Sequence, residues 1–452
     1  MTARRAAWLA VALCACQGAT GTIDIDLVAA PGVDPLAGVD RVRLTLTDPV
    51  TVVESARGPD GGFALSLEVD ARGQAARVAF EGLDAAGDVV VWGQTPVLPM
   101  SAIDARVTVY VAPPHGWSEA PVALAPARTD IGAAALPFGA LWAGGRDADG
   151  APVDSLAIYN AYFHDLQVGD PLPEPRAAIA AAAGLRQFVY LFGGEGPDGE
   201  PTATFWRFAT DVPPAGRYVE LDSDPALART GDRIALAGSE TFLVAGVPPV
   251  LLDGGRGRAT AVDGAPPLDG VPALLAVSDA GDAEVLVVGA GVGTAGAAVL
   301  SGGAFRDLPD APEGLRRTGH AVVALPNGDA LVVGGRGPDG APVAALARYR
   351  RGDRAFDAVA GALATPRADA AVARAGGLVV VAGGTDGAGG VLGDAEVVDA
   401  DTLEPLASVP LVVPRTGATA VALGNDQVVV AGGVGADGRP VEVVELYTPP
   451  VP

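Results

Sequence analysis

The chain has 452 residues, and its 54 acidic residues outnumber 30 lysines and arginines to give a formal net charge of -24. This acidity disfavours binding to nucleic acid or to anionic lipid, because both would repel the chain. About half of the residues are hydrophobic (49%), and 62 glycines and 38 prolines are spread among short apolar runs. Such a composition is typical of a large core built from many strands and tight turns, and not of a disordered chain.

The N-terminal residues predict an export signal. Arg4 and Arg5 precede an apolar stretch, residues 6–13, which is too short for a stable transmembrane helix. Together with Leu13-Cys14-Ala15-Cys16, residues 1–15 resemble a bacterial lipoprotein signal peptide. The resemblance implies cleavage before Cys16, lipidation of Cys16 and a lipid anchor in the cell envelope.

Two further expectations concern the cysteines. Gln17 follows Cys16, which by the same resemblance implies sorting to the outer membrane. An ordinary secretory signal that leaves Cys16 as a free thiol is the alternative. In either case no internal disulfide is expected, because Cys14 and Cys16 are the only cysteines in the sequence and the processed chain keeps one of them at most.

Residues 16–114 are predicted to form a small β domain. Between Thr22 and Pro113 apolar and polar residues alternate, as in Ile23-Asp24-Ile25-Asp26-Leu27. This alternation indicates antiparallel strands with one face in water, and turn residues such as Pro59-Asp60-Gly61 separate the strands. We expect a β-sandwich of immunoglobulin-like or transthyretin-like type. Its expected role is that of a spacer, with ligand binding as the alternative.

The rest of the chain contains a repeat. A Gly-Gly-type dipeptide closes a short apolar run seven times, with successive gaps of 49, 53, 43, 45, 49 and 49 residues. The second residues of these dipeptides are Gly145, Gly194, Val247, Ala290, Gly335, Gly384 and Gly433. A period near 50 residues with several strands in each unit indicates a β-propeller.

The unit that begins at Arg317 shows the pattern most clearly. A first strand over residues 321–325 is joined through Asn327-Gly328-Asp329 to a second strand over residues 330–333, which ends at Gly334-Gly335. Asn-Gly favours the positive φ angles that a two-residue hairpin requires. The second strand is apolar on both faces, as expected of a strand with a neighbouring sheet on either side.

Three further positions keep a fixed distance from the dipeptide. In six units an arginine lies 17 or 18 residues before its second residue, at Arg128, Arg176, Arg229, Arg317, Arg367 and Arg415. A third-strand core position follows that second residue by 14, at Tyr159, Phe208, Tyr349, Val398 and Tyr447. Between the two lies an Asp-Gly turn, at Asp149, Asp198, Asp339, Asp386 and Asp437.

These positions resemble the kelch-repeat family over about Gly116 to Pro452. The resemblance implies an all-β fold in which residues 115–452 form a seven-bladed propeller. Val247 and Ala290 replace the second glycine in the third and fourth units, so six regular blades are the alternative. In this family a strand from one terminus often completes the blade at the other. Residues 117–127 are therefore expected to pair with the last strand, at Tyr447, which removes exposed sheet edges.

The sequence predicts neither a metal nor a cofactor. His115, His164 and His320 are far apart in the sequence, and the propeller region has no cysteine, which excludes a copper enzyme of the galactose oxidase type. Asp147-Ala148-Asp149-Gly150 lacks the later ligands of a calcium loop and is interpreted as a turn. Arg351-Gly352-Asp353 is interpreted as an ordinary hairpin turn.

The six repeat arginines are the candidate binding residues. The resemblance implies that they lie near the mouth of an axial channel, and guanidinium groups recognise carboxylates and phosphates through paired hydrogen bonds. Pairing with the backbone or an acid of a neighbouring blade is the alternative.

The leading hypothesis is a non-enzymatic, envelope-anchored scaffold whose loops bind an unknown protein or glycan, without nucleic acid. The alternative is a periplasmic or surface carbohydrate-active enzyme of the sialic acid mutarotase or sialidase type that uses the arginines on acidic sugars. A purely architectural part of the envelope is a third interpretation.

Overall fold

The computed structural model describes residues 20–70, 75–99, 105–184, 188–211, 216–231, 234–237, 240–262, 265–277, 283–302 and 304–452. These residues form an all-β fold with 39 strands and two 3-10 turns, Pro225–Leu227 and Glu313–Leu315. None of the described residues belongs to a helix long and apolar enough to cross a bilayer. The predicted signal peptide with Cys14 and Cys16 lies outside the described residues.

The first nine strands form two larger sheets around one core. They are β1 (Thr20–Val28), β2 (Arg41–Thr47), β3 (Val50–Ala56), β4 (Ser66–Asp70), β5 (Ala75–Ala76), β6 (Val78–Leu83), β7 (Val89–Gln94), β8 (Leu98–Pro99) and β9 (Ala105–Tyr110). The strand orders are β4-β1-β9 and β3-β2-β6-β7, with β5 and β8 as a separate pair. The predicted alternation is confirmed in β2, where Val42, Leu44 and Leu46 are buried. These side chains pack with Ile25 and Phe80 in one apolar cluster shared by both sheets.

Seven four-stranded antiparallel sheets follow. Sheet I comprises β11 (Gly132–Leu136), β12 (Gly139–Ala143), β13 (Leu156–Asn160) and β14 (Asp165–Val168); sheet II comprises β15 (Ala180–Ala183), β16 (Phe188–Phe192), β17 (Phe205–Ala209) and β18 (Arg217–Glu220); sheet III comprises β19 (Ile234–Leu236), β20 (Thr241–Val244), β21 (Val250–Asp253) and β22 (Arg258–Ala261). Sheet IV comprises β23 (Leu268–Val277), β24 (Ala283–Val292), β25 (Ala297–Ser301) and β26 (Ala304–Asp307); sheet V comprises β27 (Thr318–Ala324), β28 (Ala330–Arg336), β29 (Ala345–Arg350) and β30 (Ala355–Ala362); sheet VI comprises β31 (Ala371–Ala375), β32 (Leu378–Ala382), β33 (Asp394–Asp399) and β34 (Pro405–Pro410).

Sheet VII joins the two ends of this region. It contains β36 (Thr419–Ala422), β37 (Val428–Ala431), β39 (Val443–Thr448) and, as its fourth strand, β10 (Gly116–Ala123). Trp117 lies opposite Tyr447 in the antiparallel pair of β10 and β39, so the predicted pairing of this segment with the last strand is confirmed. The paired strand is shorter than predicted, because β10 ends at Ala123 and not at residue 127. Two further short strands, β35 (Arg415–Thr416) and β38 (Val434–Gly435), pair with each other. In the sequence β35 directly precedes β36, and β38 directly follows β37.

The sheets pack face against face. The first strand of each sheet contacts the first strand of the next, from β11 through β15, β19, β23, β27 and β31 to β36, and β36 in turn contacts β11. Second strands such as β12 and β37 are buried along their whole length, as predicted for strands covered on both faces. The predicted third-strand core position is confirmed as well, since Tyr159, Phe208, Tyr349, Val398 and Tyr447 have at most 1% of their surface exposed.

Glycine is required where consecutive sheets meet. Gly334 and Gly383 have φ angles of 63° and 63°, in the left-handed region. A Cβ atom at Gly383 would lie 2.1 Å from the carbonyl oxygen of Arg415 in the next unit, and one at Gly334 would lie 2.6 Å from that of Arg367. The repeated dipeptide therefore allows the backbone of one unit to approach the next more closely than any side chain would permit.

The seven sheets have two different ends. The loops between second and third strands lie at one end, which we call the loop face: residues 146–153, 195–202, 336–343, 385–392 and 434–441. The hairpin turns between first and second strands and between third and fourth strands lie at the opposite end, which we call the turn face.

The N-terminal sheets pack on the turn face. Trp92 donates its indole N–H to the carbonyl of Pro449 at 2.7 Å, and the amide of Gln94 donates to the carbonyl of Asn425 at 3.1 Å. Arg77 forms an ion pair with Asp426, in the same turn of sheet VII. The loop face is therefore directed away from these contacts.

Candidate functional site

Each repeat arginine precedes the first strand of its sheet, at the loop-face end. Five of the six are buried, with 0–4% of the residue exposed: Arg128, Arg176, Arg317, Arg367 and Arg415. Arg229 is partly exposed. Since the arginines belong to six different sheets and five are covered by protein, the described structure does not gather them into one common site.

In sheets VI and VII the arginine is paired with a buried glutamate of the third strand. Arg415 donates Nη2–H to Glu445 at 2.5 Å, and neither side chain is exposed. The same carboxylate accepts the backbone N–H groups of Val412 and Val413 at 2.7 and 3.0 Å. Burial lowers the pKa of Arg415, which the carboxylate opposes. The pair thus joins the segment that enters sheet VII to the middle of its third strand.

Arg367 and Glu396 repeat this arrangement in sheet VI. The guanidinium donates to Glu396 at 2.6 Å and to the carbonyl of Gly383 at 3.0 Å. Glu396 also accepts backbone N–H groups from Ala364 and Thr365. Sequence reasoning missed both glutamates. Each lies two residues before the third-strand core position, which is the signal that could have identified them.

Sheets III and V use main-chain carbonyls in place of a carboxylate. Arg317 donates to the carbonyls of Gly334 and Ala345 at 3.1 and 2.9 Å, and also to Gly314 in the preceding 3-10 turn. Burial lowers the pKa of Arg317 to about 10. Arg229 donates to the carbonyl of Ala245 at 3.1 Å in the same way.

Sheet II holds its arginine by stacking. The Arg176 guanidinium lies 5.3 Å from the ring centre of Trp206 and is paired with Glu174. Trp206 occupies the third-strand position that Glu396 and Glu445 occupy in sheets VI and VII, because each lies opposite the residue three before the second glycine. These contacts favour a structural role for the arginines, which the sequence left open as the alternative to ligand binding.

Five loops of the loop face share one construction. Each contains a glycine of positive φ that donates its N–H to the carbonyl three residues earlier: Gly150, Gly199, Gly340, Gly389 and Gly438. An aspartate accepts further N–H groups of the turn, as Asp339 does from Ala341 at 3.0 Å. The expected turn at Asp386-Gly387 is wrong in register. Asp386 accepts from Ala388 and Gly390, and the positive-φ glycine of that loop is Gly389.

Side chains also connect neighbouring loops. Arg146 of sheet I pairs with Asp130 at 3.1 Å and with Glu195 of the sheet II loop. Arg336 of sheet V donates to the hydroxyl of Thr385 in the sheet VI loop at 2.6 Å. Hydrogen bonds thus order each of the five turns, and side-chain contacts link the loops of sheets I and II and the loops of sheets V and VI.

Sheets III and IV lack such loops, which leaves a notch in the loop face. Only residues 245–249 connect β20 to β21, and residues 293–296 connect β24 to β25. A cavity of about 490 Å³ lies at sheet III, lined by Arg229 together with Thr230, Val247 and Asp269. Arg229 is thus the one repeat arginine, among those described, that lines this notch.

The histidines do not form a metal site. His164 is buried, its Nδ1 lies 2.7 Å from the hydroxyl of Tyr159, and burial lowers its pKa to about 3. His320 lies 3.1 Å from the carbonyl of Val288 and its pKa is lowered to about 4, mainly by burial. Across the described residues no group of three or more His, Cys, Asp and Glu side chains could hold a metal ion.

The two remaining motifs are turns. Asp147 accepts the N–H groups of Asp149 and Ala151 at 2.9 and 3.0 Å within its own loop, so its carboxylate caps this turn. Residues 351–353 lie between β29 and β30, in the predicted hairpin, where Arg351 pairs with Glu284 at 2.8 Å and Asp353 with Arg350.

Comparison of the sequence with models of protein families finds no match, and comparison with curated proteins finds none either. The kelch resemblance therefore stays a prediction carried by the repeat itself.

Proposed function

We propose that residues 115–452 form a seven-bladed propeller of kelch type, preceded by a β-sandwich over residues 16–114. The common register of the seven sheets supports this, as does the series of first-strand contacts that returns from β36 to β11. Deleting residues 117–123 tests the closure. We expect a lower or broader thermal transition, because β39 then becomes a sheet edge. A single sharp transition at the original temperature would contradict it.

This propeller is an exported binding scaffold, anchored in the bacterial envelope through lipid on Cys16, whose loop face binds a partner. The observation that carries this proposal is the difference between the two ends. The N-terminal sheets, which follow the anchor in sequence, contact the turn face through Trp92 and Gln94. The loop face carries five ordered loops and points away from them. Loops already held in one conformation lose little conformational entropy on binding.

The charge of the loop face indicates a protein partner with a basic surface. Its exposed charged side chains are mostly acidic: Asp149, Asp198, Glu200, Asp339 and Asp437, with Arg439 as the exception. A positive patch on the partner would complement these carboxylates and speed the association. An acidic glycan would be repelled.

Removing charge from the loops without disturbing their turns tests this proposal. Asparagine keeps the side-chain oxygen that accepts the turn N–H, so the loop-face variant is Asp198→Asn, Asp339→Asn, Asp437→Asn. The control makes the same change in three aspartates that accept turn N–H groups elsewhere: Asp84→Asn, Asp253→Asn, Asp399→Asn.

Proteins captured from envelope extracts are then purified and their binding to the whole chain is measured directly. We expect the loop-face variant to raise Kd about tenfold or more and the control to leave it unchanged, with affinity falling as salt rises. A protein partner that binds the loop-face variant and the control with the same Kd would contradict the proposal. A captured ligand that is only a glycan would contradict it as well.

The notch favours one alternative, a carbohydrate-active enzyme that uses Arg229 on acidic sugars. Arg229 lines an open cavity, and the two end nitrogens of its guanidinium donate to the carbonyls of Ala245 and Pro248. Incubating the purified protein with sialic acid and sialosides tests this. Mutarotation or hydrolysis that Arg229→Gln abolishes would replace the scaffold proposal.

The anchor has its own test. Cys16→Ser is expected to release the protein from the membrane fraction into the soluble fraction, because the lipid is attached to the thiol of Cys16. Retention of the serine variant in membranes would contradict lipidation and leave the binding proposal standing.

A further inference from the structure

Sheet I buries an arginine without the partner that its counterparts have. Arg128 has none of its surface exposed, and its one hydrogen bond to the described part of the chain is a long one, 3.3 Å from Nη1 to the carbonyl of Pro126. Its Nε and Nη2 are buried and have no hydrogen-bond partner among the described residues. Burial lowers the pKa of Arg128 to about 10, so the guanidinium still carries its charge at neutral pH.

The missing partner can be located by register. Glu445 lies opposite Val430, and Glu396 lies opposite Val381, each three residues before the second glycine. The residue in the same register of sheet I is Ala157, opposite Trp142. The carboxylate that neutralises the arginine in sheets VI and VII is therefore replaced by a methyl group.

The segment that enters sheet I differs in a matching way. Glu445 accepts N–H groups from the residues two and three before its arginine, Val413 and Val412. Two residues before Arg128 the chain has Pro126, which has no N–H to donate. Sheet I thus has neither the carboxylate nor one of the two N–H donors found in sheet VII, although it has the charged arginine.

Donors are in excess on this face of sheet I. Trp142 is buried, and its indole N–H also has no acceptor within the described part of the chain. Trp142 and Ala157 belong to one buried cluster. A buried charge is strongly disfavoured unless it is paired, and an anion would both neutralise the guanidinium and accept several of these N–H groups.

We propose that a small monovalent inorganic anion, chloride under physiological conditions, is bound beside Ala157 by Nε and Nη2 of Arg128. It occupies the place of the carboxylates of Glu396 and Glu445, so that sheet I closes against sheet VII with its charge neutralised. This site lies within the packing between sheets and is independent of any partner on the loop face.

The experiment compares thermal unfolding of the whole processed chain in sodium chloride and in sodium gluconate at equal ionic strength. Chloride is expected to raise the wild-type Tm by about 2–5 °C once it exceeds its Kd about a hundredfold. Equal Tm values in the two salts would overturn the proposal.

Ala157→Glu supplies the missing carboxylate from the chain itself. We expect its Tm in gluconate to reach at least the wild-type value in chloride, and its response to chloride to disappear. The matched control is Ala347→Glu in sheet V, at the same register, where Arg317 already has carbonyl partners. That variant should keep the wild-type response to chloride. An Ala157→Glu protein that still responds fully would overturn the proposal.

Two measurements keep the test decisive if Ala157→Glu does not fold. Arg128→Met removes the charge and should abolish the difference between the two salts. A crystal grown in bromide should show an anomalous peak within hydrogen-bond distance of Arg128 Nε and Nη2. A persisting chloride response in Arg128→Met, or no bromide beside Arg128, would refute the site.

Discussion

The buried polar groups that Tyr110 contacts at the turn face are neutral, whereas the arginine sites of sheets VI and VII beneath the loop face are ion pairs. Tyr110 of the N-terminal sheets lies 5.5 Å from the His164 ring, which also contacts the Tyr159 hydroxyl. Under the loops, Arg415 and Glu445 form an ion pair with no exposed surface. The contact of Tyr110 with His164 thus buries no charge, and the Arg77–Asp426 ion pair of the same packing is partly exposed. Beneath the loop face, ion pairs within sheets VI and VII neutralise the buried guanidinium groups of Arg367 and Arg415.

The largest effect on stability is expected when the buried Arg415–Glu445 ion pair is broken. Glu445→Leu leaves the Arg415 guanidinium and two backbone N–H groups without their acceptor, so the free energy of unfolding should fall by about 3–5 kcal/mol. Urea unfolding of the whole chain measures this. Glu442→Leu, at an exposed acid directly before β39, should change stability by less than about 0.5 kcal/mol. A Glu445→Leu loss no larger than that of the control would show that the pair does not stabilise the sheet.

The stability contributed by the neutral His164 side chain should decrease in acid. The pKa of His164 is lowered to about 3 in the folded chain, below its value near 6.5 in the unfolded chain. Below pH 6.5 the unfolded state therefore binds a proton that the folded state excludes, and stability is lost as pH falls towards 3. By pH 5 this amounts to about 2 kcal/mol.

His164→Asn isolates that contribution. Asparagine tolerates the positive φ of 53° at this position and does not titrate. The difference in unfolding free energy between pH 7 and pH 5 should shrink by about 2 kcal/mol in the variant, while His320 contributes equally to both proteins. An unchanged difference would mean that His164 is not buried in its neutral form.

Sequence repetition predicted what every unit shares and missed what single units add. The third-strand core positions and the pairing of Trp117 with Tyr447 follow from fixed offsets and from two incomplete ends. Glu396 and Glu445 occur in two units of seven, so repetition alone does not mark them, and only their shared offset of two residues before the third-strand core position could have identified them. Packing of the N-terminal sheets depends on isolated contacts such as Trp92 with Pro449, which are 357 residues apart.

The packing of the N-terminal sheets on the turn face can be tested with a variant of smaller expected effect. Trp92→Phe removes the hydrogen bond to the Pro449 carbonyl, and we expect a loss of about 1 kcal/mol in urea unfolding. Trp117→Phe is the matched control, because the indole N–H of Trp117 has no partner within the described residues. If the two variants lose the same stability, the loss comes from the smaller ring and not from the hydrogen bond between Trp92 and Pro449.

The smallest change in stability is expected at the loop face. Arg146 is a quarter exposed and links the loops of sheets I and II through Asp130 and Glu195, and pairs of this kind contribute about 0–1 kcal/mol. Arg146→Ala should nevertheless speed hydrogen exchange at Ala151 and at the sheet II loop, because the link between the loops is lost. Exchange at the sheet VI loop, which Arg336 contacts, should stay the same. Equal acceleration in all loops would mean that the loop face moves as one unit, and no change anywhere would mean that each loop is ordered by its own turn alone.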